Sequence, residues 1–255
     1  YPYPTFNKKF YDANDMVVAI SKVTEDIVKT VSPSVRCERI THAVDTNVFK
    51  KKPRSEWDYL VEPAKSKDKF VFFWNNRNAR RKQSGTLIWW FNEFLDKVGR
   101  DKAVLIMHTE PKDPHGQDLE AIMRELKLDN GEVLISTNKM PPEQLSHMYN
   151  LADCTINISD AEGFGLSTLE SLACETPIIV TMTGGLQEQV TDGEEWFGVG
   201  LEPSSKAIIG SQEVPFIYED RVSKEDCLNA MIDLYSKTKE DLEQLGRKGS
   251  EHDEK

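Results

Sequence analysis

The stretch from Cys154 to Val190 constrains this chain most. Cys154 to Ile158 is a short apolar run, and Ile178 to Thr181 is a second. Between them lie a glycine-bearing turn, Glu162-Gly163-Phe164-Gly165, a helical pattern and Pro177; a Gly184-Gly185 turn follows the second run. Strand, loop, helix, strand is a βαβ unit. In such units ligands bind beyond the carboxyl ends of the strands. Glu162 is therefore expected at the mouth of a crevice. Glu170 is expected on the first turns of the helix that follows.

Each part of the unit has a physical use. Gly163 and Gly165 remove side chains, so backbone N–H groups can approach a ligand closely. They precede a helix N-terminus, where unpaired N–H groups and the helix dipole favour an anion such as phosphate. Glu162 and Glu170 can accept hydrogen bonds from sugar hydroxyls. Gly184-Gly185, ahead of Glu188, offers a second turn of the same kind. A plainer reading stands beside this one. Ser167-x-x-Glu170 also spells a capping box, in which Glu170 only satisfies a backbone donor.

The rest of the chain alternates in the same way. Asp15 to Ile20 reads as a strand and Thr24 to Val31 as a helix stopped by Pro33. Phe70 to Trp74 is a buried strand. Directly after it, Asn75-Asn76-Arg77-Asn78-Ala79-Arg80-Arg81-Lys82 places four basic residues within six positions. That turn is either a solvated basic loop or a diphosphate clamp at a strand's carboxyl end. A helical stripe spans Thr86 to Val98, with Trp89 and Trp90 read as core or domain-packing residues. Ala103 to Met107 is a strand ended by His108, to which no role is assigned. A helix over 118–128, a strand over 133–135 and a helix over 141–151 lead into the βαβ unit. Trp196 to Leu201 is a last strand. Residues 202–219 show no periodicity and read as an insertion. Lys224 to Tyr235 is a helix, and the strongly charged Lys237 to Lys255 is expected to fray. The alternation predicts an α/β fold, a doubly wound (Rossmann-like) and mostly parallel sheet.

Composition removes several function classes. A net charge of -11 over 255 residues argues against a nucleic-acid surface. No apolar run approaches the roughly 20 residues of a membrane span. Cys37, Cys154, Cys174 and Cys227 form no CxxC pair and no zinc spacing, so buried thiols in a reducing compartment are expected. Neither a G-x-G-x-x-G nor an Asp-x-Asp motif is present, so neither a dinucleotide nor a required metal is indicated.

The pattern Glu162-Gly163-Phe164-Gly165-Leu166, then Glu170, Pro177, Gly184-Gly185 and Glu188, resembles the signature of retaining GT-B glycosyltransferases of the group 1, or family 4, type. The resemblance covers about Asp12 to Gly200 and is strongest between Arg77 and Glu188. It implies the C-terminal half of a GT-B fold. Residues 1–45 would be a remnant of an acceptor-side Rossmann domain, 46–68 a connector, and 69–255 a donor-binding domain with a truncated C-terminus. Arg39 to Phe49 resembles the family's hinge segment, with Ala43 where the family mostly has Gly. Arg77 and Lys82 have the spacing of the family's Gly-Arg…Lys pair, with Asn76 in place of Gly; the spacing of Arg80 and Arg81 to Lys82 differs.

The implied activity is transfer of a sugar from a nucleotide diphospho-sugar to a hydroxyl, with retention at the anomeric carbon and no cofactor or metal. By that resemblance Glu162, Arg77 and Lys82 form the catalytic set. Arg77, Lys82 and the N–H groups of Gly165 and Leu166 would stabilise the departing diphosphate. Glu162 would orient sugar hydroxyls, and Glu170 would hold the ribose. Gly163 and Phe164 complete the donor-binding set, and 136–140 would pass the base. The acceptor is an unknown glycan, lipid or protein. The location implied is cytoplasmic, with peripheral membrane association open. Two alternatives keep the fold: a non-catalytic nucleotide-sugar-binding module, favoured by Glu175 where the family usually has a small residue, and a sugar-nucleotide epimerase.

Overall fold

The computed structural model describes residues 5–54 and 68–253. Most of the expected connector, 55–67, lies outside the described residues. So do 1–4 and 254–255.

Strand β3 (Phe70–Asn75) explains why the sheet must be covered on both faces. Phe72 and Trp74 enter one core cluster and Val71 and Phe73 the opposite one. A strand apolar at five successive positions, Phe70 to Trp74, needs helices on both sides, and parallel sheets supply them. β3 pairs with β4 (Ala103–His108), which pairs with β5 (Val133–Ser136). On its other edge β3 pairs with β6 (Cys154–Asn157), followed by β7 (Ile178–Thr181) and β8 (Gly198–Leu201). All pairings in this six-stranded sheet are parallel, in the order β5-β4-β3-β6-β7-β8. The doubly wound expectation holds. The chain moves outward from β3 in one direction and then restarts beside β3 at β6. That reversal is the switch point at which such sheets open a crevice.

In the N-terminal part, α1 (Lys8–Asp12) precedes β1 (Met16–Ala19), α2 (Lys22–Val31) and β2 (Arg36–Arg39). β1 and β2 pair in parallel as a separate two-stranded sheet. α2 begins two residues before the expected start, because Ser21 caps it by accepting from the Thr24 N–H. Residues 49–54 pack beside the large sheet. Phe49 is buried against Tyr149, and Arg54 donates to Asp153 at 2.7 Å.

The remaining helices of the large domain are α3 (Ser84–Val98), α4 (Leu119–Glu125), α5 (Pro142–Leu151), α6 (Leu166–Ala173) and α7 (Leu186–Val190). Trp90 is buried, but Trp89 is half exposed beneath the Lys224 ammonium, so only one of these two adjacent tryptophans is core. Three of the four cysteines are buried free thiols.

Two expectations are corrected. Residues 202–219 are not shapeless: β9 (Ser205–Ile209) and β10 (Ile217–Arg221) form an antiparallel hairpin. Its apolar side chains Ile208 and Ile217 stay exposed, so no inward face produced a period of two. An ion pair and a hydrogen bond anchor it instead: Glu219 pairs with Arg80, and Asp220 accepts from the Thr183 hydroxyl at 2.7 Å. After α8 (Lys224–Tyr235), the charged tail forms a full helix, α9 (Lys239–Asp253). Leu242 and Leu245 pack on the main core cluster, and close backbone approach adds to this. A Cβ on Gly246 would lie 1.9 Å from the Glu175 carbonyl oxygen, and His252 stacks on Phe197 at 4.7 Å.

Candidate functional site

The loops after β3 and β6 meet at the switch point and enclose a cavity of about 530 Å³. The β3 loop contributes Asn75, Asn76, Arg81 and Lys82. The β6 loop and the start of α6 contribute Glu162 to Ser167, and Glu170 lies one turn further on. Ile20, beyond β1, and His42, in the hinge segment, close the opposite side.

Local chemistry sets the shape of both loops. Arg80–Lys82 is a single 3-10 turn ended by Gln83 at φ +56°. The turn is stitched to the facing loop: the Asp160 N–H donates to Arg81 O at 2.8 Å, and the Gln83 amide donates to Asp160 at 2.6 Å. This places the Lys82 ammonium inside, against Glu162, with both side chains about 90% buried. Burial lowers the Lys82 pKa, and the Glu162 carboxylate opposes that shift. In the β6 loop Gly165 sits at φ +98°, a conformation open to glycine. The N–H groups of Gly165 and Leu166 make no hydrogen bond to the described residues. Gly184 lets β7's loop press on this one, since a Cβ there would lie 1.6 Å from the Glu162 carbonyl oxygen.

Glu170 is not part of a capping box. α6 starts at Leu166 with Gly165 as its N-cap, so Ser167 is already inside the helix. The Glu170 carboxylate turns instead to Tyr149, whose hydroxyl donates to it at 2.6 Å. Asn75 donates to the same hydroxyl at 2.9 Å. Burial raises the Glu170 pKa, and the Tyr149 hydrogen bond partly offsets this.

Of the sequence candidates, Lys82, Glu162, Gly163, Phe164, Gly165, Leu166 and Glu170 share the one cavity. Phe164 is buried there edge-on to His42, with ring centroids 5.3 Å apart. Arg77 does not line it. Its guanidinium makes a bidentate pair with Asp113, at 2.7 and 3.2 Å, and its side chain is 61% exposed. Arg81 does line it, donating to the Ala161 carbonyl and lying 3.7 Å from Glu162. Residues 136–140 are not in its wall. His108 is a structural residue, paired through Nδ1 with Ser136 at 3.1 Å.

The model for glycosyl transferases group 1 matches residues 57–211, more than half of the chain. The chain belongs to that family. Among curated relatives of this group 1 chain, a D-inositol 3-phosphate glycosyltransferase of Acidothermus cellulolyticus is 43% identical over 88 residues, or 33% of this chain and 20% of that protein. One from Paenarthrobacter aurescens is 33% identical over 101 residues, 38% of this chain and 24% of that protein. The chain therefore aligns with only a fifth to a quarter of these relatives' length.

Solved structures agree on the fold. A sucrose-phosphate synthase of Thermosynechococcus elongatus superposes with a TM-score of 0.76 at 21% identity, over 97% of this chain and 55% of that one. The C-terminal domain of a group 1 protein, LpcC of Francisella tularensis, gives 0.60 at 22% identity, over 82% and 96%. The Anabaena protein HepE, in complex with UDP and glucose, gives 0.71 at 16% identity, over 98% and 62%.

Sequence reasoning missed Tyr149 in this group 1 site, along with Ile20 and His42. A tyrosine on the buried face of a helix reads as core, and nothing in its neighbours marks the hydroxyl. Asn75 and Arg81 lay inside the basic turn already singled out, but which of its side chains turn inward is a property of the 3-10 turn.

Proposed function

We propose that this chain is the donor-binding part of a retaining glycosyltransferase that takes a nucleotide diphospho-sugar. One observation carries the reading. A buried ammonium, two unpaired backbone N–H groups at a helix start, and two carboxylates face a single cavity at the sheet's switch point. The cation and the N–H groups suit a diphosphate; the carboxylates suit hydroxyls. HepE, which shares the fold, was solved with UDP and glucose, and that supports the same class of ligand here.

In this reading Lys82 exchanges part of its pairing with Glu162 for the diphosphate, and Glu162 then turns to sugar hydroxyls. Arg77 is the second phosphate ligand. Its side chain is 61% exposed, so phosphate can reach the guanidinium, although the Asp113 carboxylate it pairs with is only 11% exposed. As the sugar departs, negative charge builds on the diphosphate, and these preorganised donors stabilise it there. No protein nucleophile and no metal are required. The acceptor hydroxyl would come from a part of the enzyme beyond this domain.

Glu175 does not support the non-catalytic alternative. It sits at φ +56°, a left-handed position that favours glycine, outside the walls of this cavity. The small residue usual at that position is explained by backbone geometry rather than by chemistry.

Calorimetry with UDP, GDP, ADP and CDP, in magnesium and in EDTA, tests the proposal. Saturable binding of one diphosphate, indifferent to EDTA, is expected. Binding that vanishes in EDTA contradicts metal independence, and no binding to any of the four contradicts the donor site. With the longer protein, the anomeric configuration of the product decides retention, and an epimerised sugar nucleotide would favour the epimerase.

A further inference from the structure

The Glu170 carboxylate is held in a way its own helix does not explain. Tyr149 projects from α5, across the layer between sheet and helices, and its hydroxyl is fully buried. The ring packs edge-on against Phe49 and Phe73 at 6.2 and 5.1 Å, a role that phenylalanine would fill equally well. The hydroxyl is the difference. It accepts from Asn75 Nδ2 at 2.9 Å and donates its proton to Glu170 Oε2 at 2.6 Å. An amide nitrogen can only donate, so the direction of the relay is fixed: Asn75 to Tyr149 to Glu170. Glu170 Oε1 takes no hydrogen bond from the described residues, and Glu170 lines the cavity.

From this geometry we infer that Tyr149 is a positioning residue. Braced by Asn75, it occupies one oxygen of Glu170 and so presents the other to a ribose hydroxyl of the bound nucleotide. The inference rests on the donor-site reading above. A merely structural hydroxyl would satisfy its own hydrogen bonds and leave ligand selectivity alone. A positioning hydroxyl sets how strongly the site prefers a ribonucleotide over its deoxy analogue.

The experiment compares the nucleoside diphosphate that binds best among UDP, GDP, ADP and CDP with its 2′-deoxy and 3′-deoxy forms, by calorimetry on the full chain. Wild type is expected to favour the ribonucleotide over at least one deoxy form by about tenfold or more, as for a hydrogen bond to a charged group. Tyr149→Phe is expected to reduce that preference to within about threefold, with deoxynucleotide affinity unchanged. Asn75→Ala, which leaves the hydroxyl in place without its brace, should fall between the two and serves if Tyr149→Phe does not fold. If wild type discriminates and both variants discriminate equally well, the relay is wrong and the donor site stands. A loss shared equally by ribo- and deoxynucleotides also overturns the relay. If wild type binds none of the four diphosphates, the donor site itself falls.

Discussion

The two ends of the cavity each present a glutamate, and the protein treats them differently. At one end Glu162 meets the buried Lys82 ammonium, with Arg81 3.7 Å away. At the other, Glu170 meets only the neutral hydroxyl of Tyr149, and burial pushes its pKa up. The residues are eight positions apart on one loop and helix, so sequence spacing alone made them a pair. Their surroundings divide the labour. The first end is a charge cluster suited to an anion, and the second is a carboxylate with no cation against it among the described residues, suited to discriminating hydroxyls.

The largest expected effect breaks the charged end. Lys82→Met leaves the Glu162 carboxylate with a single distant cation. Removing one partner of a buried pair typically costs roughly 3–5 kcal/mol, so a large drop in urea-unfolding stability is expected. Binding of the cognate nucleoside diphosphate should fall by about 100-fold or more in calorimetry. A variant that keeps wild-type affinity would show that Lys82 serves the fold alone.

The arginines sharpen the picture. Arg77→Ala should weaken nucleoside diphosphate binding at least about tenfold, since its side chain is 61% exposed and open to phosphate. Arg81→Ala should cost only about threefold, because its guanidinium is already spent on Ala161 O and Glu162. Lys22→Ala is the control and should change nothing. The reverse order of the two arginines would make Arg81 the clamp.

A smaller effect separates the Glu170 end by pH. The Glu170 carboxyl has a folded pKa raised above its ordinary 4.5. Its burial is therefore harmless while protonated and becomes destabilising as pH rises from about 4.5 through the raised value. Glu170→Gln carries no such charge. Its stability relative to wild type should climb between pH 4 and pH 7 in urea melts; a flat or falling difference would place Glu170 in a charge-stabilised setting like that of Glu162.

The smallest expected effect on binding lies outside the cavity. Arg80→Ala should loosen the 205–221 hairpin by roughly 1.5–3 kcal/mol, since it leaves the buried Glu219 carboxylate with Arg221, 3.5 Å away, as its remaining cation among the described residues, with nucleotide affinity within about twofold of wild type. A strong loss of binding would tie the hairpin to the site.

What the sequence determined by itself were the elements with a strong local period and the residues on a short motif. The strands at 70–75, 103–108, 154–157 and 178–181, the helix at 224–235, and the meeting of Lys82, Glu162 and Glu170 at one crevice were legible. Buried strands and glycine turns write their geometry into adjacent residues. Tertiary structure alone decided the rest. The helix over 239–253 has only the short apolar pair Leu242 and Leu245 to set on the core, and it also depends on Gly246 meeting a backbone from another element. The hairpin at 205–221 is pinned by Arg80, from a loop more than a hundred residues earlier, and by the Thr183 hydroxyl. Arg77 turning out and Arg81 turning in depend on a 3-10 turn stitched to Asp160. Tyr149 reaches Glu170 from another helix, and no local pattern records a contact between residues brought together only by the fold.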